Sequence, residues 1–492
     1  MSGATDAAEA APPLRWSTKL LYGVGSTAYG VKDVAFRLFI LIYYNQVIGL
    51  PATLVSAAIF VALVVDAISD PVVGQFSDRL RTRLGRRHPL MYFSALPAAS
   101  SFLFLWFPPT GLPDWQMFAY IVILASMVRT FITFYEIPSS ALAPELTSDY
   151  QERTTIATLR YFFGYIGGLG MAFLTLYVFL APTDGYPTGQ LNPVGYHLFG
   201  MVGAGLMVTT VLISTFGTQH RVKYFRTPQP VEKTGFAQML KDMLASVSHK
   251  GFLGIFGFGV LKYTGIGMTG ALKLYFGTYL WLLSSGQMAI LVLDGVLAAL
   301  LGLVLAPVTS RLFGKRNAAL ILIVAAVLIA VSPYVLRLMG LFIENGDPLL
   351  LPALFAIDTI YSLCSFISAI LVHAMIGDVT DDSELSTGRR SEGLFYAANS
   401  FMQKCSSGFG LLVAGVMIDL VGLPENADPV SVEPSVVLDL ALAYVPLLAA
   451  LYVGASFLLL RYKIDESSHE ANLQELERRR RSTAGAIGQS AG

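Results

Sequence analysis

Apolar runs long enough to cross a bilayer recur from one end of this chain to the other, and they restrict what it can become. A membrane-spanning helix needs about 20 largely apolar residues. Twelve such runs can be placed, at roughly 18–47, 53–76, 88–109, 115–139, 154–181, 194–217, 251–282, 286–312, 316–340, 350–377, 391–422 and 435–462. Charged residues make up only 13% of the chain, against about 25% in soluble domains, so most of it must lie in lipid. Each run reads as a helix, because an open sheet edge leaves backbone groups unsatisfied in hydrocarbon. The expected class is an all-α membrane protein.

Basic residues fix the orientation. Of the 33 Lys and Arg residues, eight (Lys32, Arg37, Arg129, Arg160, Lys262, Lys273, Arg337 and Lys404) fall within spans. With both termini placed in the cytoplasm, the other 25 fall on cytoplasmic segments and helix ends, and the six outer loops hold none. The zero net charge therefore hides a basic inner face and acidic outer loops such as 424–433. Basic residues there are expected to meet anionic membrane lipid, with no nucleic-acid partner implied. The first 16 residues lack a basic start followed by a short apolar core, so no cleaved leader is expected. Cys364 and Cys405 fall inside spans and suggest neither a disulfide framework nor a metal spacing.

The longest polar interruption, 218–250, divides the runs six and six. The expected organisation is a six-helix half over 1–217, a cytoplasmic linker over 218–250, a second six-helix half over 251–462 and a cytoplasmic tail over 463–492. Two even-numbered sets about a linker are the layout of a major-facilitator fold, with sites near the midplane. A faint repeat agrees: residues 74–79, GQFSDR, with Gly85, Arg86 and Arg87 beyond, have a shorter echo in residues 307–311, PVTSR, with Gly314, Lys315 and Arg316 beyond.

Within this frame the stretch 61–74, VALVVDAISDPVVG, stands out. An acid at mid-bilayer costs about 2.5 to 3.5 kcal/mol even on the lenient insertion scale. Asp66 and Asp70 are i and i+4, so they share a helical face, with Ser69 beside them and Pro71 freeing a backbone carbonyl nearby. Hard cations take oxygen ligands, and a bound Na+ is the natural compensation. Like charges this close also make proton coupling possible. The alternative is that the pair merely forms interhelical salt bridges. Lys404, midway along the eleventh run, is a lone ammonium that must find a counter-charge or snorkel. Asp33, Glu136 and Arg160, with Lys32 beside Asp33, suit a polar solute, since a carboxylate and a guanidinium can hold adjacent hydroxyls; a helix-packing charge network is the other reading. At the inner ends, Asp78, Arg79, Arg86 and Arg87 in the first half and Asp378, Arg389, Arg390 and Glu392 in the second are candidates for a gate. Such charges can pair when the gate shuts and separate when it opens.

Five segments together resemble the glycoside-pentoside-hexuronide:cation symporters, the group that contains melibiose permease and, more distantly, the sodium-dependent lysolipid symporters. They are Tyr22-Gly23 with Lys32-Asp33, the run 66–71 (DAISDP), the basic segment 79–89, Tyr135-Glu136-Ile137-Pro138, and 387–393 (TGRRSEG). In order and spacing they cover most of 17–462. The resemblance implies that Asp66, Asp70, Ser69 and Thr133 hold the coupling cation. It also implies that Lys404 faces the acidic pair as a switchable counter-charge, and that Asp33, Glu136 and Arg160 contact a glycoside with Lys32 beside them. Two positions depart from the sugar-porter pattern. Glu136 replaces an Asp, and Ser140 stands where a tryptophan packs against the sugar ring.

These readings converge on a secondary active transporter, expected to be a monomer in a cell inner membrane with both termini cytoplasmic. It would symport a glycoside or another small hydroxylated solute with Na+ or H+ by alternating access, and no cofactor is expected beyond the coupling ion. A cation-coupled lysolipid transporter is the alternative substrate reading. An intramembrane aspartyl protease is disfavoured, since it needs acids on separate helices, and no appended signalling domain supports a receptor.

Overall fold

In a computed structural model of the chain, the described residues are 12–225, 250–387 and 392–462, with scattered positions from 468 to 478. Among them all regular structure is helical apart from one isolated bridge, Thr183 to Tyr186. Ten helices are long and apolar enough to cross a membrane: Ala52–Arg79, Asp114–Leu146, Tyr150–Phe179, Pro193–Gln219, Phe252–Leu280, Ser285–Phe313, Lys315–Leu338, Leu350–Leu385, Gly393–Leu420 and Pro434–Leu459. They coincide with ten of the twelve expected runs. The other two runs are helical as well. The third is His88–Leu105, with Pro97 inside it, and the first is a succession of short pieces.

That first span runs through Trp16–Val24 and Thr27–Val34, then through π turns at Ala35–Phe39 and Tyr43–Val47. Close packing explains where it breaks. The Tyr135 hydroxyl occupies the space a Cβ on Gly25 would need, and the Gly164 carbonyl does the same at Gly30, so the first span presses its backbone against a side chain of the fourth span and the backbone of the fifth.

Several helices outrun the apolar stretch that marks them. The fourth has 33 residues and the tenth 38, or about 50 Å and more at 1.5 Å per residue, against about 30 Å of hydrocarbon. Their polar ends continue the helix beyond lipid. This carries Glu145 and Asp378 past the apolar stretches, where the sequence pattern alone stops the spans near 139 and 377. The fifth span starts with a cap, Asp149 accepting from the Glu152 N–H at 2.7 Å, and the sixth with Asn192 accepting from the Val194 N–H at 3.0 Å.

The chain packs as two compact units. The first gathers residues up to 233 together with 270–292 and 411–436; the second gathers 234–269, 293–410 and the residues from 437 on. In the first, an aromatic cluster of Phe39, Tyr43, Phe102, Trp106, Tyr196 and Phe199 fills one end, with Trp106 and Tyr196 stacked at 5.9 Å. The Tyr43 and Tyr44 hydroxyls donate to the carbonyls of Trp106 and Leu105, so the cluster buries no loose phenol. The C-terminal ends of the seventh and eleventh spans belong to this unit. Tyr275 and Tyr279 donate to the amide oxygens of Asn45 and Gln46 on the π turn, at 2.9 and 2.8 Å. Asp419 accepts from the N–H groups of Ala52 and Thr53, at 3.0 and 2.8 Å, and so caps the second span from another helix. In the second unit, buried tyrosines tie helices together through their hydroxyls: Tyr361 to Tyr452 at 3.0 Å and Thr269 to Tyr444 at 2.9 Å.

Candidate cation and substrate sites

Asp66 is 1% exposed in the middle of the second span, and an ionised carboxylate at that depth needs compensation. Two groups supply it from the fourth span. Arg129 Nη1 lies 3.2 Å from Asp66 Oδ2, and Thr133 Oγ1 lies 3.1 Å from Asp66 Oδ1. The same Thr133 oxygen is 3.0 Å from Asp70 Oδ1. A hydroxyl has one proton to donate, and ionised carboxylates only accept. The hydroxyl proton can therefore serve only one of the two contacts at a time, and the other brings acceptor oxygens together where a cation or a shared proton can sit.

Thus Asp66, Asp70 and Thr133 are brought together as the sequence leads one to expect. Ser69 is beside them, but its hydroxyl donates back to the Asp66 carbonyl at 3.0 Å, which leaves its lone pairs as what it can offer. Arg129 was not foreseen as a member. The signal was available: Arg129, Thr133, Glu136 and Ser140 follow the helical repeat along one face of the fourth span. The guanidinium also stands over the Phe36 ring, 4.5 Å from its centre, which fixes it against the first span.

The substrate candidates lie in the same unit. Lys32 is buried and reaches Asp33 Oδ1 at 3.1 Å, while the Asp33 side chain is 64% exposed. Glu136, half-buried, is within electrostatic reach of Lys32 and Tyr29. Arg160 donates from Nη1 to the Tyr22 hydroxyl at 3.0 Å, and that hydroxyl donates to the Ser139 carbonyl at 2.8 Å. Arg160 is thereby held to the first and fourth spans by the buried Tyr22 phenol, which the sequence marked as part of a family segment without a role. Ser140 is exposed, its hydroxyl turned back to the Ile137 carbonyl at 2.8 Å. Lys404 lies half-buried on the eleventh span, in the second unit.

At the rims, charge pairs form within each unit. Arg87 Nη1 meets Asp78 Oδ1 at 2.7 Å, and Arg86 and Arg87 both reach Glu145 Oε1, at 2.6 and 3.1 Å. In the second unit Lys315 Nζ is 2.8 Å from both Asp378 oxygens, and the Tyr462 hydroxyl donates to Oδ2 at 3.0 Å. Burial pushes the Tyr462 phenol up, and the Asp378 charge adds to it. Glu145 and Lys315 are the partners that sequence reasoning missed. Arg79 is exposed, Glu392 opens the eleventh helix, and Arg389 and Arg390 lie outside the described residues.

Known proteins resemble this chain along nearly its whole length. An isoprimeverose transporter of Lactiplantibacillus pentosus is 25% identical over 454 residues, covering 92% of this chain and 89% of that one. The sodium-dependent lysophosphatidylcholine symporter 1 of Gallus gallus is 25% identical over 492 residues, with 94% and 89% covered. Among solved structures, a D-xylose-proton symporter superposes with a TM-score of 0.63 at 14% identity, over 92% of this chain and 98% of that one, which establishes the fold as that of the major facilitators. The model of the family described as MFS/sugar transport protein matches residues 21–466, so the chain belongs to that family of multi-pass membrane transporters.

Proposed function

We propose that this transporter carries a glycoside or another small hydroxylated solute together with one coupling cation, Na+ or H+, by alternating access. The observation that carries the cation half is the Thr133 hydroxyl held between Asp66 and Asp70, three oxygens from two helices converging with one hydroxyl proton to share among them. In this reading Asp66, Asp70 and Thr133 bind the ion directly, Ser69 adds a lone pair, and Lys404 acts as the counter-charge that changes partner when the ion arrives. Asp33 and Glu136 accept from substrate hydroxyls, and Arg160, aimed by Tyr22, donates to them. Lys32 links the two sites, since it touches Asp33 and feels the charge of Asp66. Neutralising the acids with a cation would ease the movement of the second span against the fourth. The rim charges Asp78, Arg79, Arg86, Arg87, Asp378, Arg389, Arg390 and Glu392 belong to the inner gate. We place the protein as a monomer in an inner membrane, with lipid around it and both termini in the cytoplasm.

The lysolipid reading has one observation in its favour: Ser140 offers no aromatic platform for a sugar ring. Three ionisable groups facing an acyl chain argue against it. The deciding experiment is uptake into membrane vesicles under an imposed Na+ or proton gradient, with radiolabelled glycosides and lysophosphatidylcholine offered separately. Gradient-driven accumulation of a glycoside is expected. Cation-dependent uptake of the lysolipid with every glycoside refused would replace the substrate class and leave the cation site standing.

A further inference from the structure

We propose that Arg129 is a tethered cation of the coupling site, which restricts that site to one monovalent ion and sets how tightly the ion is held. The inference rests on the reading that Asp66 and Asp70 bind the coupling cation and goes beyond it. A guanidinium stays charged under all ordinary conditions. Here it is 7% exposed, fixed on one side by Asp66 Oδ2 at 3.2 Å and on the other by the Phe36 ring. Its Nε is buried with no hydrogen-bond partner, so the side chain is held by these two contacts more than by a saturated network. Asp66 therefore turns one oxygen to a permanent internal cation and the other, through Thr133, to Asp70.

The consequence is electrostatic. An ion entering beside Asp66 Oδ1 meets two carboxylates and, a few ångströms off, a fixed positive charge. Repulsion from that charge offsets part of the acids' attraction for any ion, and because the cost of stripping water from an ion grows with the square of its charge, a divalent ion is the one left without enough attraction to enter. Arg129 thereby offsets part of the negative charge that Asp66 and Asp70 bring to the site. Arg129 does not ligate the ion; it decides which ion the ligands accept.

The test uses purified, full-length protein, with thermal stabilisation by NaCl against choline chloride as the readout, alongside the Na+ dependence of uptake in vesicles. In Arg129→Met, the Na+ concentration giving half the effect is expected to fall by about tenfold or more. Ca2+, without effect on the unaltered protein, is expected to compete with Na+ in this variant. Arg129→Lys keeps the charge and should keep the unaltered Na+ response. If the unaltered protein runs on protons and ignores Na+, Arg129→Met should gain a Na+ response. Unchanged Na+ and Ca2+ responses in Arg129→Met, with the cation response lost in Asp66→Asn, would make Arg129 a packing residue and overturn the proposal. If Asp66→Asn and Asp70→Asn also keep the cation response, the coupling-site reading itself fails. Should Arg129→Met not reach the membrane, the unaltered protein still decides, because Ca2+ displacing Na+ from it would overturn the proposal.

Discussion

Arg86 and Arg87, after the second span, reach Glu145 at the inner end of the fourth; Lys315, after the eighth, reaches Asp378 near the inner end of the tenth. The segments that carry these bases are the Gly85-Arg86-Arg87 and Gly314-Lys315-Arg316 echoes, the second at the start of the ninth helix, so the two units fasten these rims by one device. Their interiors are fastened differently. In the first unit the tie from second to fourth span is made by Asp66, Asp70, Thr133 and Arg129. In the second, the tie from eighth to tenth includes the Ser362 hydroxyl donating to Asp294 Oδ2 at 2.6 Å. With Ser77 laid on Ser310, Asp66 and Asp70 fall on Ala299 and Leu303, and Leu303 is 64% exposed. A feature found at both rims is explained by folding each unit. A doubled acid found at this depth in only one of the paired helices calls for a separate reason, and ion binding supplies it.

The comparison breaks most sharply at the acids. Asp66→Asn or Asp70→Asn should abolish accumulation against a gradient while exchange of substrate continues, because Asp33, Glu136 and Arg160 stay in place. Asp294→Asn should keep the accumulation ratio, since an amide oxygen still accepts from Ser362, at a stability cost of about 1 kcal/mol. Vesicle uptake measured with and without an imposed gradient separates the two. Loss of coupling in Asp294→Asn equal to that in Asp66→Asn would mean that both interiors serve the ion.

A smaller effect distinguishes the rims. The Arg87 and Glu145 side chains are 7% and 14% exposed, and removing Glu145 strips Arg86 of the carboxylate it reaches and leaves Arg87 with Asp78 alone. Glu145→Gln should therefore cost about 3 kcal/mol. Lys315 is 37% exposed and can turn to water, so Asp378→Asn, whose amide oxygen still accepts from Tyr462, should cost about 1 kcal/mol or less. Thermal unfolding in detergent reads both. Equal losses would show that exposure does not set the strength of these pairs.

How much of this was legible in the sequence follows from the range of each interaction. The bilayer imposes a length on every span, so the runs could be placed within a few residues. It imposes nothing on polar helix ends, and the fourth and tenth spans ran on to Glu145 and Asp378 unannounced. Asp66 and Asp70 were readable because i and i+4 is a local relation, and Thr133 because the family resemblance supplied it. Arg129 stands one turn before Thr133, yet nothing local says that its guanidinium turns to Asp66 and not to lipid headgroups; the packing of the second, fourth and first spans decides it. The break at Gly25 is of the same kind, set by a tyrosine 110 residues away. Asp419, capping the second span from the eleventh, is the most distant of all and had no sequence signal.

The smallest expected effect concerns that outer cap, a third acid used on the second span. Asp419→Asn keeps an oxygen that can accept from Ala52 or Thr53 and loses the charge that favours a helix start, a cost of about 1 kcal/mol. It should also change how stability depends on pH, through Glu425 in the outer loop. Partial burial pushes the Glu425 carboxyl above its ordinary value of 4.5, and the charges of Asp419 and Asp114 push it further. A carboxyl raised in the folded state favours the protonated fold. Its contribution is therefore neutral while folded and unfolded chains are both protonated, and stability falls as pH climbs from the ordinary value through the raised one. Removing the Asp419 charge lowers the raised value, so that fall should be shallower in Asp419→Asn than in the unaltered protein. Thermal unfolding followed across mildly acidic pH measures the two slopes. Parallel slopes would show that Glu425 does not feel Asp419 and would leave the cap as a hydrogen-bonding device alone.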